Sequence, residues 1–377
     1  MDGMARPDGH LTNRRHSPAT VPPTVATDRP LALVRGRNPI VGLVTYDPSM
    51  PSFRLRMAAM RPLMERSGIE VRTVALGRGH EWLRVIRLAS ELRSCDLLIF
   101  QQVKLLAGER VYVDRLCGSW IFDVDDAIMF RRPRRPRETP SQAGWRRRRF
   151  RRMAERCQIA VAGSRSLAGM IGPEARRIEV LHTPVDLAAY PLAALPRRER
   201  VRLAWIGLAS NLCYLESLEP VLRRLHSDGV DFELRVISDR LPQMNGIPCV
   251  HVPWSASGEG TALASCDVGL APLADDLWTR GKAGYRCIQY AAAGLPAVAS
   301  PVGANREVVF DGETGIWAGS HDEWHSALLR LCSDAHLREL LGTAARLRAS
   351  RFELSYYGRR YIRLISSTIG LRRQSVR

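Results

Sequence analysis

DVGLAPLADDLWTRGKAGYRCIQYAAAGLPAVASPVGANREVV, from Asp267 to Val309, is the stretch from which the rest of this 377-residue chain is read. It holds a short apolar strand (Val268 to Leu270), a loop closing on Arg280-Gly281-Lys282-Ala283-Gly284, a helix, a Gly-Leu-Pro stop and a second apolar run, Ala297 to Ala299. Gly294 can take the left-handed conformation that satisfies the last helical carbonyls, and Pro296 cannot continue a helix. At ~100° per residue, Lys282, Arg286 and Gln289 share one side of that helix, while Ile288, Ala291 and Ala292 share the other and can pack on a sheet. This is half of a βαβ unit with a polar side that begins at the helix N-terminus. Unpaired N–H groups and the positive dipole end gather there, glycines allow close approach, and a phosphate is the natural guest. An ordinary solvated turn is the competing reading of the same residues. Of the 56 Lys+Arg residues only Lys104 and Lys282 are lysine, which points to a site that needs a compact ammonium rather than a guanidinium.

The pattern GLAPL followed by RGKAGYRCIQYAAAGLPAVASPVGANREVV resembles the donor-binding segment of GT-B glycosyltransferases, in the retaining, family 4-like group that includes glycogen and sucrose synthases. Pro39 to Ala349 can be laid over that family's plan. The resemblance implies two doubly wound, Rossmann-like α/β domains facing a cleft, with a nucleotide-diphosphate sugar held mainly by the second. It implies transfer of a hexosyl-type unit to an acceptor with retention, no metal, and no cofactor beyond the sugar nucleotide as co-substrate. Arg280, Gly281, Lys282 and Arg286 are then expected at the diphosphate, Gln289 toward the ribose, and Gly303 and Asn305 along the same pocket. The family commonly carries two glutamates eight positions apart where this chain has Gly281 and Gln289. A subset writes the segment with Gly-Lys and Gln-Tyr, as here. Relatives also often place a phosphate-binding Arg and Lys after the first strand of the second domain. Leu208-Ala209-Ser210 offer neither, which shifts the load to Arg280, Lys282 and Arg286.

Trp120 to Ala127 reads as an apolar strand running straight into Asp123, Asp125 and Asp126, at the end where open α/β sheets bind ligands. Three explanations stand side by side: a divalent metal held by Asp-x-Asp, a helix N-cap cluster, or sugar contact. The resemblance implies the third, with Asp125 where many GT-B enzymes carry a histidine, so Asp125, Asp126 and Lys282 form the expected catalytic group. Asp123 and the loop arginines Arg54 and Arg56 are expected on the acceptor side of the cleft. His182 reads as a satisfied structural histidine.

Length allows two domains with their own cores, and 45% hydrophobic with 25% charged residues reads as globular. No apolar run approaches the ~18 residues of a membrane span, and the N-terminus lacks the apolar core of a secretory signal. Eight cysteines without a Cys-x-x-Cys pair fit reduced thiols in a cytoplasmic protein. The net charge of +18 is concentrated: Arg131 to Arg152 holds eleven Arg and one Glu, with Trp145 and Phe150 among them. Such a segment is expected to meet an acidic partner, an anionic membrane face in the first place, with its rings at the interface and nucleic acid as the rival.

The expected organisation is a disordered tail (1–37), a first domain (38–186), a linker (187–200), a second domain (201–352) and a C-terminal helix (353–377) crossing back to the first. Single helices are expected over Phe53 to Arg66, Glu81 to Leu92, Leu106 to Leu116 and Asn211 to Leu225. Ser320 with Glu323 makes a capping box for the helix into Leu331.

Overall fold

Short, nearly unbroken apolar runs bounded by glycine, serine and aspartate form buried parallel strands, because helices cover both faces of such a sheet. A computed structural model describes residues 37–77, 84–132, 137–192 and 200–375. The expected tail lies outside the described residues apart from Arg37, which is held by Asp96 at 2.9 Å. Parts of the Glu81 to Leu92 helix, the Arg-rich run and the linker lie outside them too.

The first sheet contains β1 (Ile40–Thr45), β2 (Glu70–Ala75), β3 (Leu97–Gln101), β4 (Trp120–Val124), β5 (Ile159–Ala162) and β6 (Ile178–Val180). Its order is β2-β1-β3-β4-β5-β6, all parallel. The second contains β7 (Val201–Ile206), β8 (Phe232–Ser238), β9 (Cys249–Pro253), β10 (Val268–Ala271), β11 (Ala297–Ala299) and β12 (Gly315–Trp317). Its order is β12-β11-β10-β7-β8-β9, again parallel. The strand order reverses between β1 and β3 in one sheet and between β7 and β10 in the other, and ligands of doubly wound sheets bind beyond the strand ends at such points. Tyr290 seals the second reversal, its hydroxyl 2.8 Å from Leu270 O and 3.3 Å from Ile206 N. Gly269 is glycine because a Cβ there would stand 2.4 Å from the Tyr290 ring.

Three expected helices are broken, two of them by proline. Pro62 lacks an N–H and its ring meets the carbonyl four residues back, so the Phe53 to Arg66 helix becomes a short turn Pro51–Phe53, a π-helical turn Arg54–Ala58 and a helix Arg61–Arg66. Pro220 does the same to the helix after β7, which splits into Leu212–Glu216 and Glu219–Ser227. The Glu81 to Leu92 helix is likewise seen as Arg84–Arg87 and Ala89–Ser94. The Ser320 capping box forms as expected.

The chain passes between the sheets twice, and the two passages lie together. Val185 N–H donates to Phe352 O, and Leu354 N–H donates to Val185 O, each at 2.9 Å. The final helix, Leu354–Ser375, then packs on the first sheet's side of the molecule, where Gly358 fits against Leu63.

The π turn points Arg56 inward. Its Nε and Nη2 donate to the two Asp123 carboxylate oxygens at 2.8 and 2.9 Å, and Nη1 donates to Leu181 O at 2.9 Å. Tyr361 of the last helix lies 3.2 Å from the same carboxylate. Arg56 and Asp123 are 1% and 0% exposed. They are therefore not on the acceptor side of the cleft, as the sequence reading expects. They form an internal clamp. Arg56→Met should cost ~3–5 kcal/mol by stranding a buried carboxylate, whereas Arg56→Met with Asp123→Leu should cost clearly less, because the desolvated charge is gone. Urea unfolding of both variants checks this; equal losses would contradict it.

Candidate active site

The loop before helix Tyr285–Ala292 delivers Lys282 to the strand-order reversal of the second sheet. Thr279–Gly281 make one 3-10 turn, Lys282 is extended, and Gly284 starts the helix at φ +65°. Lys282 therefore precedes the helix rather than sharing a helical face with Arg286 and Gln289. Its Nζ lies 5.9 Å from the ring centres of Tyr214 and Trp278 and 3.5 Å from Asn211 Oδ1. Burial lowers its pKa, and the Asp126 carboxylate opposes that effect. Arg286 donates from Nε to Ile206 O at 2.6 Å and lays its guanidinium 4.6 Å from the centre of the Trp205 ring, beside Gly207 at the end of β7.

From the first sheet comes Asp125, just past the end of β4. It is buried and accepts from Gln101 Nε2 at 3.1 Å and from Gln102 Nε2. Gln102 holds φ +55°, a conformation that costs a non-glycine residue energy and is kept where surrounding contacts demand it. Burial drives the Asp125 pKa up to about 7; Arg56 opposes the rise, and the carboxylates of Asp126 and Asp123 add to it. Asp126 is half-exposed, with Arg132 Nη2 3.9 Å away.

The remaining expected site residues fall elsewhere. Arg280 is exposed and paired with Asp275 at 2.6 Å. Gln289 is buried and donates to Tyr190 Oη at 3.1 Å, which in turn bonds Glu259. Asn305 is buried and donates to Ser300 O at 3.0 Å and Ala271 O at 3.3 Å. Arg54 stacks on Trp254, 5.1 Å from the ring centre. The glycines admit protein rather than leaving the backbone open. A Cβ on Gly281 would come within 2.3 Å of Ala127 Cβ, one on Gly284 within 3.0 Å of Ala304, and one on Gly303 within 2.4 Å of Arg280 O. Among the described residues no cluster of His, Cys, Asp and Glu suits a metal ion, since Asp123 turns inward to Arg56.

Glu307, which the sequence reading passes over, bridges the two halves. It accepts from the N–H groups of Arg165 and Ser166 at 2.9 and 3.0 Å, capping helix Arg165–Ile171, and lies 3.0 Å from His182 Nε2. Partial burial works against its ionisation, yet these bonds hold its pKa down to about 2. His182 also meets Tyr357 at 3.2 Å, so it is a partnered histidine. Tyr214, Trp278 and Gln102 carry no local sequence signal and become visible only through the fold.

Two six-stranded parallel sheets, each with one strand-order reversal, already narrow the architecture. Residues 200–334 match the family described as glycosyl transferases group 1. HepE of Anabaena, solved with UDP and glucose, superposes with a TM-score of 0.66 at 14% identity, covering 88% of this chain and 100% of that one. The fold is GT-B. Sucrose-phosphate synthase from Thermosynechococcus elongatus shows the same GT-B likeness, with TM-score 0.67, 14% identity, and coverage of 88% and 100%. A glycosyltransferase from Rickettsia africae follows with TM-score 0.64, 10% identity, and coverage of 88% and 99%. A comparison with curated protein sequences found no match. Within this GT-B frame, the absence of a glutamate at Gly281 has a steric reason: Ala127 of the other half fills the space a side chain would need.

Asp125 should leave a signature in stability. Its folded pKa of about 7 exceeds the unfolded value of ~3.9, so the native state holds a proton the unfolded state has lost between these limits. The resulting stabilisation is complete below ~4 and disappears as pH rises through 7. Relative to Asp125→Asn, which cannot titrate, the wild type should become progressively less stable from pH 5 to pH 8 in urea unfolding. A pH-independent difference would assign the titration elsewhere.

Proposed function

We propose that the protein transfers a glycosyl unit from a nucleotide-diphosphate sugar to an acceptor, with retention and without a metal. The observation that carries this reading is the Lys282 ammonium, half-buried between Tyr214 and Trp278 at the strand-order reversal of the second sheet, with Asp125 and Asp126 on the facing half. A cation stripped of solvent by burial gains most when a diphosphate arrives, and more as negative charge builds on the leaving group. That is preorganised electrostatic stabilisation. Arg286 supplies a second cation at the end of β7. Asp125, whose carboxyl burial keeps about half protonated at neutrality, can donate to a sugar hydroxyl in its protonated form, and Asp126 stays open to the cleft. The match of residues 200–334 and the UDP bound in HepE support a donor of this class.

A second reading is non-catalytic binding of the same donor, favoured by Gly281 packed on Ala127 and Gln289 engaged with Tyr190. One set of variants separates the two. Lys282→Ala and Lys282→Arg should each lose roughly a hundredfold in donor turnover, ~3 kcal/mol of lost transition-state stabilisation, at unchanged melting temperature. UDP should stabilise the wild type equally with and without chelator. Full turnover in both variants would remove Lys282 from the site, and loss of UDP stabilisation in chelator would point to a metal.

We further propose a cytoplasmic protein that rests on anionic membrane. No helix among the described residues is long and apolar enough to cross a bilayer. Helix Pro140–Arg156 exposes Arg147, Arg148, Arg151 and Arg152. Phe150 is not available to lipid, contrary to the expectation from its place in the run: it is 2% exposed and packs 5.4 Å from Phe122. Trp145 stays half-exposed with Arg149 against its ring, so one ring and the arginines are left to meet the surface, and the association should be strongly salt-dependent. Co-sedimentation with anionic but not neutral vesicles, lost when these four arginines become serine, is the expected result; equal pelleting with both vesicles would refute it.

A further inference from the structure

Trp278 has a second role. Besides flanking Lys282, it closes a cavity of about 590 Å³ whose other walls come from the first half of the chain. Among the described residues, six cations and a single carboxylate, Glu138, line that cavity, and Lys104 is among them. Both lysines of this arginine-rich chain thus lie beside the same tryptophan's surroundings. Arg132 joins the two regions, 5.0 Å from the Trp278 ring centre and 3.9 Å from Asp126.

Three of these cations are held in place. Lys104 is held through its backbone, whose N–H donates to Tyr46 Oη at 3.0 Å and whose carbonyl accepts from the same hydroxyl at 2.8 Å. Its Nζ donates to Ile128 O at 2.7 Å. Arg149 donates to the Leu105 carbonyl at 3.3 Å and to Lys104 O, with its guanidinium 4.5 Å from the Trp145 ring centre. Arg146 is ion-paired with Glu138. These two arginines turn inward from the helix that sends Arg147, Arg148, Arg151 and Arg152 to solvent. Neutral carbonyls hold Lys104 and Arg149, and carbonyls do not cancel charge. Burial, then Arg149, Arg146 and Arg132, pushes the Lys104 pKa down to about 7. Gathering like charges in a half-enclosed space is unfavourable unless an anion enters.

Arg146 is answered by Glu138 and Arg132 lies near Asp126, so a single carboxylate on the ligand would answer only one of Lys104 and Arg149. A phosphoryl group carries more negative charge, and its oxygens suit the guanidinium fork. Ile128, Phe130 and the two tryptophans supply an apolar wall for whatever the phosphate is attached to. We propose that this cavity is the acceptor subsite and that it takes a phosphorylated acceptor, a phosphate or diphosphate ester, with Lys104, Arg146 and Arg149 on its oxygens. Its role as an acceptor site rests on the transfer reading above. Its ligand chemistry does not.

The test is calorimetric titration of the full chain, with UDP present, using octyl diphosphate, inorganic pyrophosphate and octyl glucoside as probes. Octyl diphosphate should bind and octyl glucoside should not. Lys104→Gln and Arg146→Gln should each weaken the diphosphate by about tenfold, the loss of one charge-assisted contact, with melting curves confirming the fold. UDP affinity should stay within about twofold in both, since its site lies beyond Trp278. Pyrophosphate binding as tightly as octyl diphosphate identifies a soluble acceptor; clearly tighter octyl diphosphate identifies a lipid-borne one. Failure of both diphosphates to bind, or affinities that ignore the two substitutions, overturns the proposal. So does an oligonucleotide that binds at physiological salt through Lys104 and Arg146 while octyl diphosphate does not. If UDP fails to bind but octyl diphosphate binds through these residues, the transfer reading falls and the phosphoryl site stands.

Discussion

The Arg56–Asp123 pair is the constraint on which the first half of the molecule depends. An arginine and an aspartate this deeply buried are tolerated because each is bonded on several sides: two guanidinium nitrogens donate to the carboxylate, the third donates to Leu181 O and Thr183 Oγ1, and Tyr361 lies against the same carboxylate. Four parts of the chain are tied at one point, namely the π turn after β1, the end of β4, the end of β6 and the last helix. Asp125 follows Asp123 by two residues along an extended backbone, so the clamp also sets where the Asp125 carboxyl stands. The same pair tempers the Asp125 pKa, since Arg56 pulls against the rise caused by burial.

Across the cleft the governing effect is the partial burial of cations. Lys282, Arg286, Arg132, Lys104 and Arg149 all lie on or near the surfaces between the halves, held by ring faces and carbonyls more than by carboxylates. Trp278 lies beside Lys282 and lines the cavity that Lys104 also lines, with Arg132 against its ring. The halves themselves meet through small residues, Gly281 on Ala127 and Gly163 against Asp125 and Ala283, and through Glu307 capping a helix of the other half. Those contacts are tight enough that a side chain at Gly281 would force the halves apart.

Much of the architecture was legible because its signals are local. Apolar runs of buried parallel strands are unbroken, and β11 falls where the run Ala297 to Ala299 puts it. Ser320 and Glu323 close a capping box within one helical turn. The helices broken at Pro62 and Pro220 were legible in principle, since proline acts on the carbonyl four residues back. β12 escaped because three residues, Gly315-Ile316-Trp317, are too few to show a period, and Gly315 is there only to clear Ala297 O.

By itself the sequence determined the two-sheet α/β plan, the loop and helix carrying Lys282, and the concentration of positive charge between Arg131 and Arg152, because periodicity, turn chemistry and charge are properties of neighbours along the chain. Tertiary structure decided which polar residues work inside and which face the cleft. Arg56, Asp123, Gln289 and Asn305 resemble site residues in composition and are buried with internal partners. Gln102, Tyr214, Trp278 and Glu307 look ordinary along the chain, and Lys104 stands out only by being a lysine; strands and helices far apart in sequence carry them to the cleft. A residue's exposure and the charges around it depend on what the fold packs against it, and that packing is a sum over distant segments that no local window contains.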